Sequence, residues 1–322
     1  MSARLESTSL EARRHIMILR IGTRGSPLAL WQAHFVAAQL RASHPGLVVE
    51  LVEIQTIGDE IQTVPLASLG GEGVFTKAIQ NALLDLRVDV AVHSLKDLPT
   101  VVVPELTLAV VPERGPTGDA LVSLKHPNFA ALPLGAVVAT SSLRRRAQLA
   151  HRRPDLKLIE IRGNVDTRLR KLGEQGLDAT ILAEAGLKRL GLEARITEVL
   201  DAAWMFPAVG QGALGIECRA DDEATRRLLA SLDDAKTHAA VLAERAMLRT
   251  LGGGCHVPIG ARSSIEDGQL TLHGAVLTPT GSDRIEVRRT GNLDLAERLG
   301  ETVAAELLRL GANRLLSGRA LG

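Results

Sequence analysis

The chain is poor in aromatic residues and in cysteine. Aromatics make up 2% of its 322 residues, and the two cysteines are Cys218 and Cys255. Scarce aromatics argue against single-stranded nucleic-acid binding, which usually depends on stacking platforms. Two thiols are too few for a disulfide-rich secreted scaffold, and no Cys/His spacing fits a zinc site. We therefore expect aliphatic cores, no metal and no nucleic-acid partner.

Long apolar runs and a surplus of one charge are also missing. No segment reaches the roughly 18 consecutive apolar residues of a membrane span, and the N-terminus lacks a signal peptide's apolar stretch. We expect no membrane partner, a cytoplasmic location and a disordered leader over 1–17. Although the formal net charge is +1, the window 144–170 holds eight Arg and one Lys against three acidic residues. This window is a candidate anion site.

Strand-like and helical segments alternate in two successive blocks, a pattern typical of α/β domains with largely parallel sheets. A segment rich in Pro and Gly, 112–118, separates the blocks and suits a hinge. The predicted strands of the first block are 18–24, 48–54, 89–95 and 106–112, and those of the second are 119–123, 136–141, 156–161 and 178–185.

Two helices of the first block have recognisable signals. Ser26 offers an N-cap and Pro27 occupies the first helical position, and Leu28, Trp31 and Phe35 then fall on one face. A Gly-rich turn from residue 70 leads into a second helix that extends to residue 86. Its spacing predicts one apolar stripe, formed by Phe75, Ile79, Leu83 and Leu86.

The pattern changes near residue 235. A helix comes first, and strand-like segments joined by short polar turns follow, which predicts a small antiparallel sheet covered by helices. The chain then closes with one long amphipathic helix over 293–316. The predicted strands are 257–264, 269–277 and 284–290.

The string HSLKDLP (93–99) places Lys96 and Asp97 after a buried strand. Open α/β sheets bind ligands at the carboxyl ends of their strands, so the two side chains are candidates for an acid–base or charge-stabilising pair. A solvated turn with two opposite charges is the alternative, and the string alone favours it.

Three strand-to-helix junctions each offer an Arg. TSSLRRRAQL carries Arg144 and Arg145 behind a helix N-terminus, IRGNVDTRL carries Arg168, and RIGTRGSPLA carries Arg24. Helix N-termini and bidentate guanidinium groups both bind carboxylates. The alternative is a set of solvent-facing basic helices. Because all three junctions fall on one rim of the predicted sheets, we expect them to converge.

The string GGGCHVPIGA places Cys255 in a loop after three glycines. Glycines let another molecule approach the backbone closely, which would suit an attachment site. A small buried thiol or a plain flexible turn explains the same string, and spacing alone favours these two.

Seven strings occur in series: RIGTRGSPLALWQA, AVHSLKDLP, TSSLRRRAQL, RGNVDTRL, LAEAGLKRLGL, AVGQGALGIECR and GGGCHVPIGA. In this order and spacing the chain resembles the porphobilinogen deaminase family from about residue 18 to about 316. The resemblance implies an α/β fold class, with two similar doubly wound domains resembling type II periplasmic binding proteins around a cleft. It also implies a small α+β C-terminal domain with a three-stranded antiparallel sheet. We place the domains at 18–112 plus about 213–232, at 118–206 and at 235–322.

The resemblance also implies the chemistry. The family deaminates four porphobilinogen molecules and joins them head to tail into hydroxymethylbilane, in tetrapyrrole biosynthesis, on a dipyrromethane cofactor. Loss of ammonia leaves a cationic azafulvene, and the residue matching the family's catalytic Asp is Asp97. By the same match, a thioether at Cys255 anchors the cofactor, which Ser94, Lys96, Asp97, Thr140, Ser142, Arg144 and Arg145 also bind. Those expected to bind substrate are Arg24, Ser26, Arg162, Arg168, Arg189 and Phe75. A monomer is expected.

Two other functions stay open on the residues alone. A non-catalytic anion-binding protein would use the same cleft, but Cys255 and the missing signal peptide argue against it. An RNA-binding protein would use the Arg-rich window, and the low aromatic content and near-zero net charge disfavour it.

Overall fold

A computed structural model describes residues 18–55, 76–254 and 257–318. These residues form two five-stranded mixed sheets and one three-stranded antiparallel sheet. The predicted fold class, with two similar α/β domains and a small α+β domain, is confirmed.

The first sheet has the strand order β2-β1-β3-β10-β4. β1 pairs in parallel with β2 and β3, whereas β10 is antiparallel to β3 and β4. The strands are β1 (Ile18–Thr23), β2 (Val48–Glu53), β3 (Val90–Ser94), β4 (Leu106–Val110) and β10 (Leu214–Arg219). The accompanying helices are α1 (Pro27–Ser43), α2 (Lys77–Leu84) and α6 (Glu223–Leu229).

The second sheet repeats this design with the order β7-β6-β8-β5-β9. Each sheet contains one strand that is antiparallel to its neighbours, β10 in the first sheet and β5 in the second. In both cases it is the strand that the chain forms directly after leaving the other sheet. The strands are β5 (Asp119–Val122), β6 (Val137–Ala139), β7 (Lys157–Ile159), β8 (Ala179–Ala183) and β9 (Glu198–Val199). The helices are α3 (Leu143–Arg152), α4 (Val165–Glu174) and α5 (Glu184–Arg189).

Two segments connect the α/β domains: the first crossover, residues 111–118, and the second crossover, residues 200–213. They touch where the Gly115 N–H donates to the Gly212 carbonyl at 3.2 Å. Gly212 has φ +86°, and a Cβ there would lie 2.5 Å from the Gly115 oxygen. Only glycine therefore allows this approach.

The third domain packs helices on its antiparallel sheet. The elements are α7 (Ala235–Thr250), β11 (Ile259–Glu266), β12 (Gln269–Leu277), β13 (Arg284–Asn292), α8 (Ala296–Arg309) and α9 (Ala312–Leu316). The prediction of one continuous helix over 293–316 is wrong. Gly311 adopts φ +104° and separates α8 from α9, because a left-handed residue ends a helix.

Two predicted apolar faces also differ. The buried face of α1 is formed mainly by Ala33, Val36, Ala37 and Leu40, whereas Trp31 is 37% exposed. Leu86 lies beyond the end of α2, with φ +59° and 60% exposure, so it does not belong to that helix's stripe. None of the helices within the described ranges is long and apolar enough to cross a membrane.

Candidate active site

Lys96 and Asp97 lie at the carboxyl end of β3, in a 3-10 turn over Leu95–Asp97. Leu95 is buried, and its N–H donates to the Ala213 carbonyl at 3.0 Å, which fixes the turn against the second crossover. The Asp97 carboxylate is exposed, whereas Lys96 is half-buried. The turn is therefore anchored in the core, unlike a freely solvated turn.

Ser94, the last residue of β3, is oriented by α1. The Gln32 side-chain amide donates to the Ser94 Oγ at 2.7 Å, and Gln32 is itself buried. A buried amide that fixes a hydroxyl beside Lys96 holds the polar end of the strand in one geometry.

Arg144 and Arg145 meet at the buried carboxylate of Asp119. Arg144 Nη1 lies 2.6 Å from Oδ2, and Arg145 donates to Oδ1 through Nε (2.9 Å) and Nη2 (2.7 Å). Ser142 caps α3 by accepting from the Arg145 N–H at 3.4 Å. Thr140 comes just before it, and its Oγ1 accepts from the Ser142 N–H at 3.3 Å.

Asp119 is the charged centre that sequence reasoning missed. Burial alone would raise the pKa of Asp119, but Arg144 and Arg145 outweigh burial and hold that pKa well below its ordinary range. The Gln211 side chain also donates to Asp119, at 3.0 Å. An acidic residue at the start of the apolar segment DALV is a sequence signal for a buried charge, but it does not identify the partners of that charge.

Lys96 belongs to the same electrostatic cluster. The pKa of Lys96 falls from 10.5 to about 8, because burial and the neighbouring cations Arg145 and Arg144 outweigh the opposing effect of Asp97 and Asp119. Three basic side chains thus share two carboxylates. An anionic ligand would complete the charge balance of this cluster.

Arg168 joins the cluster from α4. The Asn164 side chain caps this helix by accepting from the Thr167 N–H at 2.9 Å, and Arg168 Nε donates to the Gly163 carbonyl at 2.8 Å. The pKa of Arg168 falls to about 10, because burial together with Arg145 and Arg162 outweighs the opposing effect of Asp97. The structure therefore brings Arg168 near Asp97, as the convergence of the junctions predicted.

Three other predicted residues lie at the ends of strands or on nearby elements. Arg24 follows β1, the strand that pairs with β3 in parallel, and so shares its sheet edge. Ser26 caps α1 by accepting from the Ala29 N–H at 3.4 Å. Arg162 follows β7, and its Nε lies 3.8 Å from a Glu160 oxygen.

Arg189 lies in α5, at the boundary between the two α/β domains. Its Nη2 donates to the Gly212 carbonyl at 2.6 Å, and its guanidinium carbon lies 5.6 Å from the centre of the Trp31 ring. Its contacts are thus to the other domain and to the second crossover.

Cys255 and Phe75 lie outside the described residues. Cys218 lies within β10 and is buried, and burial raises the pKa of its thiol to about 11. Such a thiol is protonated at neutral pH and is a poor nucleophile. Within residues 18–55, 76–254 and 257–318, no group of three His, Cys, Asp or Glu side chains could hold a metal ion.

Two family models match the chain. Residues 19–227 match "Porphobilinogen deaminase, dipyromethane cofactor binding domain", and residues 238–309 match "Porphobilinogen deaminase, C-terminal domain". Together they cover nearly the whole chain. The chain belongs to the porphobilinogen deaminase family, which confirms the resemblance and the predicted dipyrromethane cofactor.

Three solved structures are similar to about two thirds of the chain at low sequence identity. The methionine-binding protein MetQ is 14% identical, with 69% of this chain and 92% of that chain covered and a TM-score of 0.44. A nutrient-binding protein from Burkholderia cenocepacia bound to methionine is 15% identical, with 68% and 93% covered and a TM-score of 0.41. The periplasmic VFT2 domain of BvgS from Bordetella pertussis is 14% identical, with 67% and 86% covered and a TM-score of 0.40.

Proposed function

We propose that this member of the porphobilinogen deaminase family is a hydroxymethylbilane synthase. It would join four porphobilinogen molecules head to tail, with loss of ammonia, into the linear tetrapyrrole. The observation that carries the proposal is the cluster in which Lys96, Arg145 and Arg168 all interact electrostatically with Asp97. The substrate brings two carboxylates and must develop a positive charge, and this cluster offers partners for both.

The residues present fit a dipyrromethane. Each of its two rings carries an acetate and a propionate, and the low pKa of Lys96, about 8, reflects burial together with the neighbouring cations Arg145 and Arg144. Bound carboxylates would relieve that repulsion. The group would be held by Ser94, Lys96, Asp97, Thr140, Ser142, Arg144 and Arg145, with a thioether at Cys255. When bound, it supplies a nucleophilic pyrrole carbon as primer.

Asp97 is the residue we assign to catalysis. Its exposed carboxylate can accept a hydrogen bond from a pyrrole N–H and stabilise the positive charge left when ammonia departs. Preorganised charge opposite a developing charge is usually the largest catalytic contribution. The anchored turn holds the carboxylate in place, since Leu95 is buried beneath it.

Substrate carboxylates are assigned to a second set of residues. Arg168 and Arg162 extend the cationic surface from the second domain, and Arg24 and Ser26 lie at the end of β1 in the first domain. We also assign Phe75 and Arg189 to substrate binding. The expectations of a monomer and of a cytoplasmic location remain predictions.

Intact mass and turnover test this function together. Purified protein should exceed the mass of the bare chain by two linked pyrroles and should consume porphobilinogen. Cys255→Ala should lose the extra mass and the activity, whereas Cys218→Ala should keep both, because that thiol is buried and protonated. A native protein that gains no mass and consumes no porphobilinogen, even after incubation with it, would be an anion-binding protein instead.

A further inference from the structure

Trp31 and Arg189 form a contact across the boundary of the two α/β domains. Trp31 belongs to α1 of the first domain and Arg189 to α5 of the second, with 5.6 Å between the guanidinium carbon and the ring centre. The helices are close beside this pair, because a Cβ on Gly186 would lie 3.8 Å from the Leu28 Cδ2. The contact is a cation–π pair by its distance.

The Trp31 ring is held in place without being part of the core. It stacks on Phe35 with 5.3 Å between ring centres and an interplanar angle of 10°, while it remains 37% exposed. In a chain with two Trp residues, an exposed Trp ring that contacts an arginine of another domain is not explained by core packing.

Only some of the N–H donors of Arg189 form hydrogen bonds with the described residues. Its Nη2 donates to the Gly212 carbonyl at 2.6 Å, and burial lowers its pKa to about 10. Among the side chains that the structure describes, no carboxylate forms an ion pair with it. A half-buried guanidinium compensated by a carbonyl and a ring retains N–H donors for a carboxylate ligand.

We propose that Trp31 is a positioning residue that acts through Arg189. The ring holds the guanidinium at the domain boundary, where its remaining donors bind a carboxylate of the substrate or of the growing pyrrole chain. This inference rests on the proposed function and adds to it a specificity-determining contact between domains. Trp31 itself touches Arg189 and Phe35, and the anion is bound by Arg189.

Steady-state kinetics separate positioning from packing. Trp31→Leu keeps an apolar side chain but removes the ring face, and it should raise KM for porphobilinogen about twofold to fivefold, with kcat nearly unchanged. Trp31→Phe retains a smaller ring and should recover most of the wild-type KM. A merely structural role would lower the melting temperature of Trp31→Leu and leave KM unchanged.

Trp204 supplies a matched control. It also lies under an arginine, with Arg152 5.8 Å from its ring centre, and packs against Phe129 within the second domain. Trp204→Leu removes an arginine–aromatic contact that does not involve Arg189 and should leave KM unchanged. An equal rise of KM in both variants would overturn the proposal.

Fluorescence provides a readout independent of turnover. In Trp204→Phe, Trp31 is the sole Trp, and adding porphobilinogen should change its emission as the guanidinium engages a carboxylate. The change should vanish when Arg189→Met is added. Wild-type protein that consumes no porphobilinogen would refute the proposed function and with it this inference. Normal turnover with silent Trp31 emission and an unchanged KM in Trp31→Leu would refute the inference alone.

Discussion

Arg114 and Glu244 form a bidentate ion pair between the first crossover and α7 of the third domain. Arg114 Nη1 lies 2.7 Å from Glu244 Oε1, and Nη2 donates to Oε2 at 3.0 Å. Glu244 Oε2 also accepts from the Gly210 N–H of the second crossover at 2.8 Å. Glu244 is fully buried. Its carboxylate therefore connects both crossovers to the third domain without competition from solvent.

Glu244→Gln should lower the free energy of unfolding by about 3–5 kcal/mol, since it leaves the largely buried Arg114 charge without its partner. Urea denaturation monitored by circular dichroism measures the change. The exposed pair Arg227–Glu223, 3.3 Å apart, is the control, because Glu223→Gln removes a solvent-screened interaction. Similar stability losses in the two variants would contradict the buried pair's role.

Asp97→Asn should reduce turnover at least about 100-fold, because the amide cannot stabilise a developing positive charge as a carboxylate does. The protein should stay folded and keep its covalently bound cofactor, since the Asp97 side chain is exposed and the proposed thioether is at Cys255. Porphobilinogen consumption, intact mass and thermal denaturation check the three statements. Wild-type turnover in this variant would refute the catalytic assignment.

Asp119→Asn should destabilise the protein, and the size of the loss should depend on the cofactor. The variant leaves Arg144 and Arg145 buried without their shared carboxylate, which costs about 3–5 kcal/mol. In protein that carries dipyrromethane, the bound carboxylates should partly replace Asp119. We therefore expect a larger loss in a Cys255→Ala background than in the native background, and equal losses would show that these arginines do not face the cofactor.

The fold was largely predictable because local signals and tertiary context agree, whereas the roles of the predicted site residues remain predictions. The Ser26 cap forms as predicted, Ser142 and Asn164 cap their helices in the same way, and parallel strands necessarily bring their following turns to one edge. This geometry explains why the helices that carry Arg145 and Arg168 begin at the same edge of the second sheet.

What the sequence did not reveal depends on contacts between distant segments. Asp119 pairs with Arg144 and Arg145 because β5 runs antiparallel beside β8, a pairing that no local pattern specifies. Trp31 was predicted on an apolar face, but it packs against the other domain, and periodicity cannot tell a core from a domain boundary. Helix α8 ends before the predicted boundary at residue 316 because of Gly311, whose left-handed conformation is visible only in the structure.

Lys96 should make the stability of cofactor-free protein increase with pH in the alkaline range. In the folded protein the pKa of Lys96 is about 8, against 10.5 ordinarily, so between these values the unfolded chain binds more protons than the folded one. Stability rises with pH wherever that holds. The thiol of Cys218 acts oppositely, because burial raises its pKa from 9.0 to about 11.

A Cys218→Ala, Cys255→Ala double variant removes that opposing contribution and the cofactor together. Urea denaturation at several pH values from 8 to 10.5 should then show a rising free energy of unfolding, which adding Lys96→Met should flatten. In a Cys218→Ala single variant, which keeps the cofactor, the slope should be weaker, because bound carboxylates favour the charged lysine and raise its pKa. If Lys96→Met leaves the slope unchanged, Lys96 is not the group whose pKa the cluster lowers, and the cluster does not require an anionic cofactor to balance its charge.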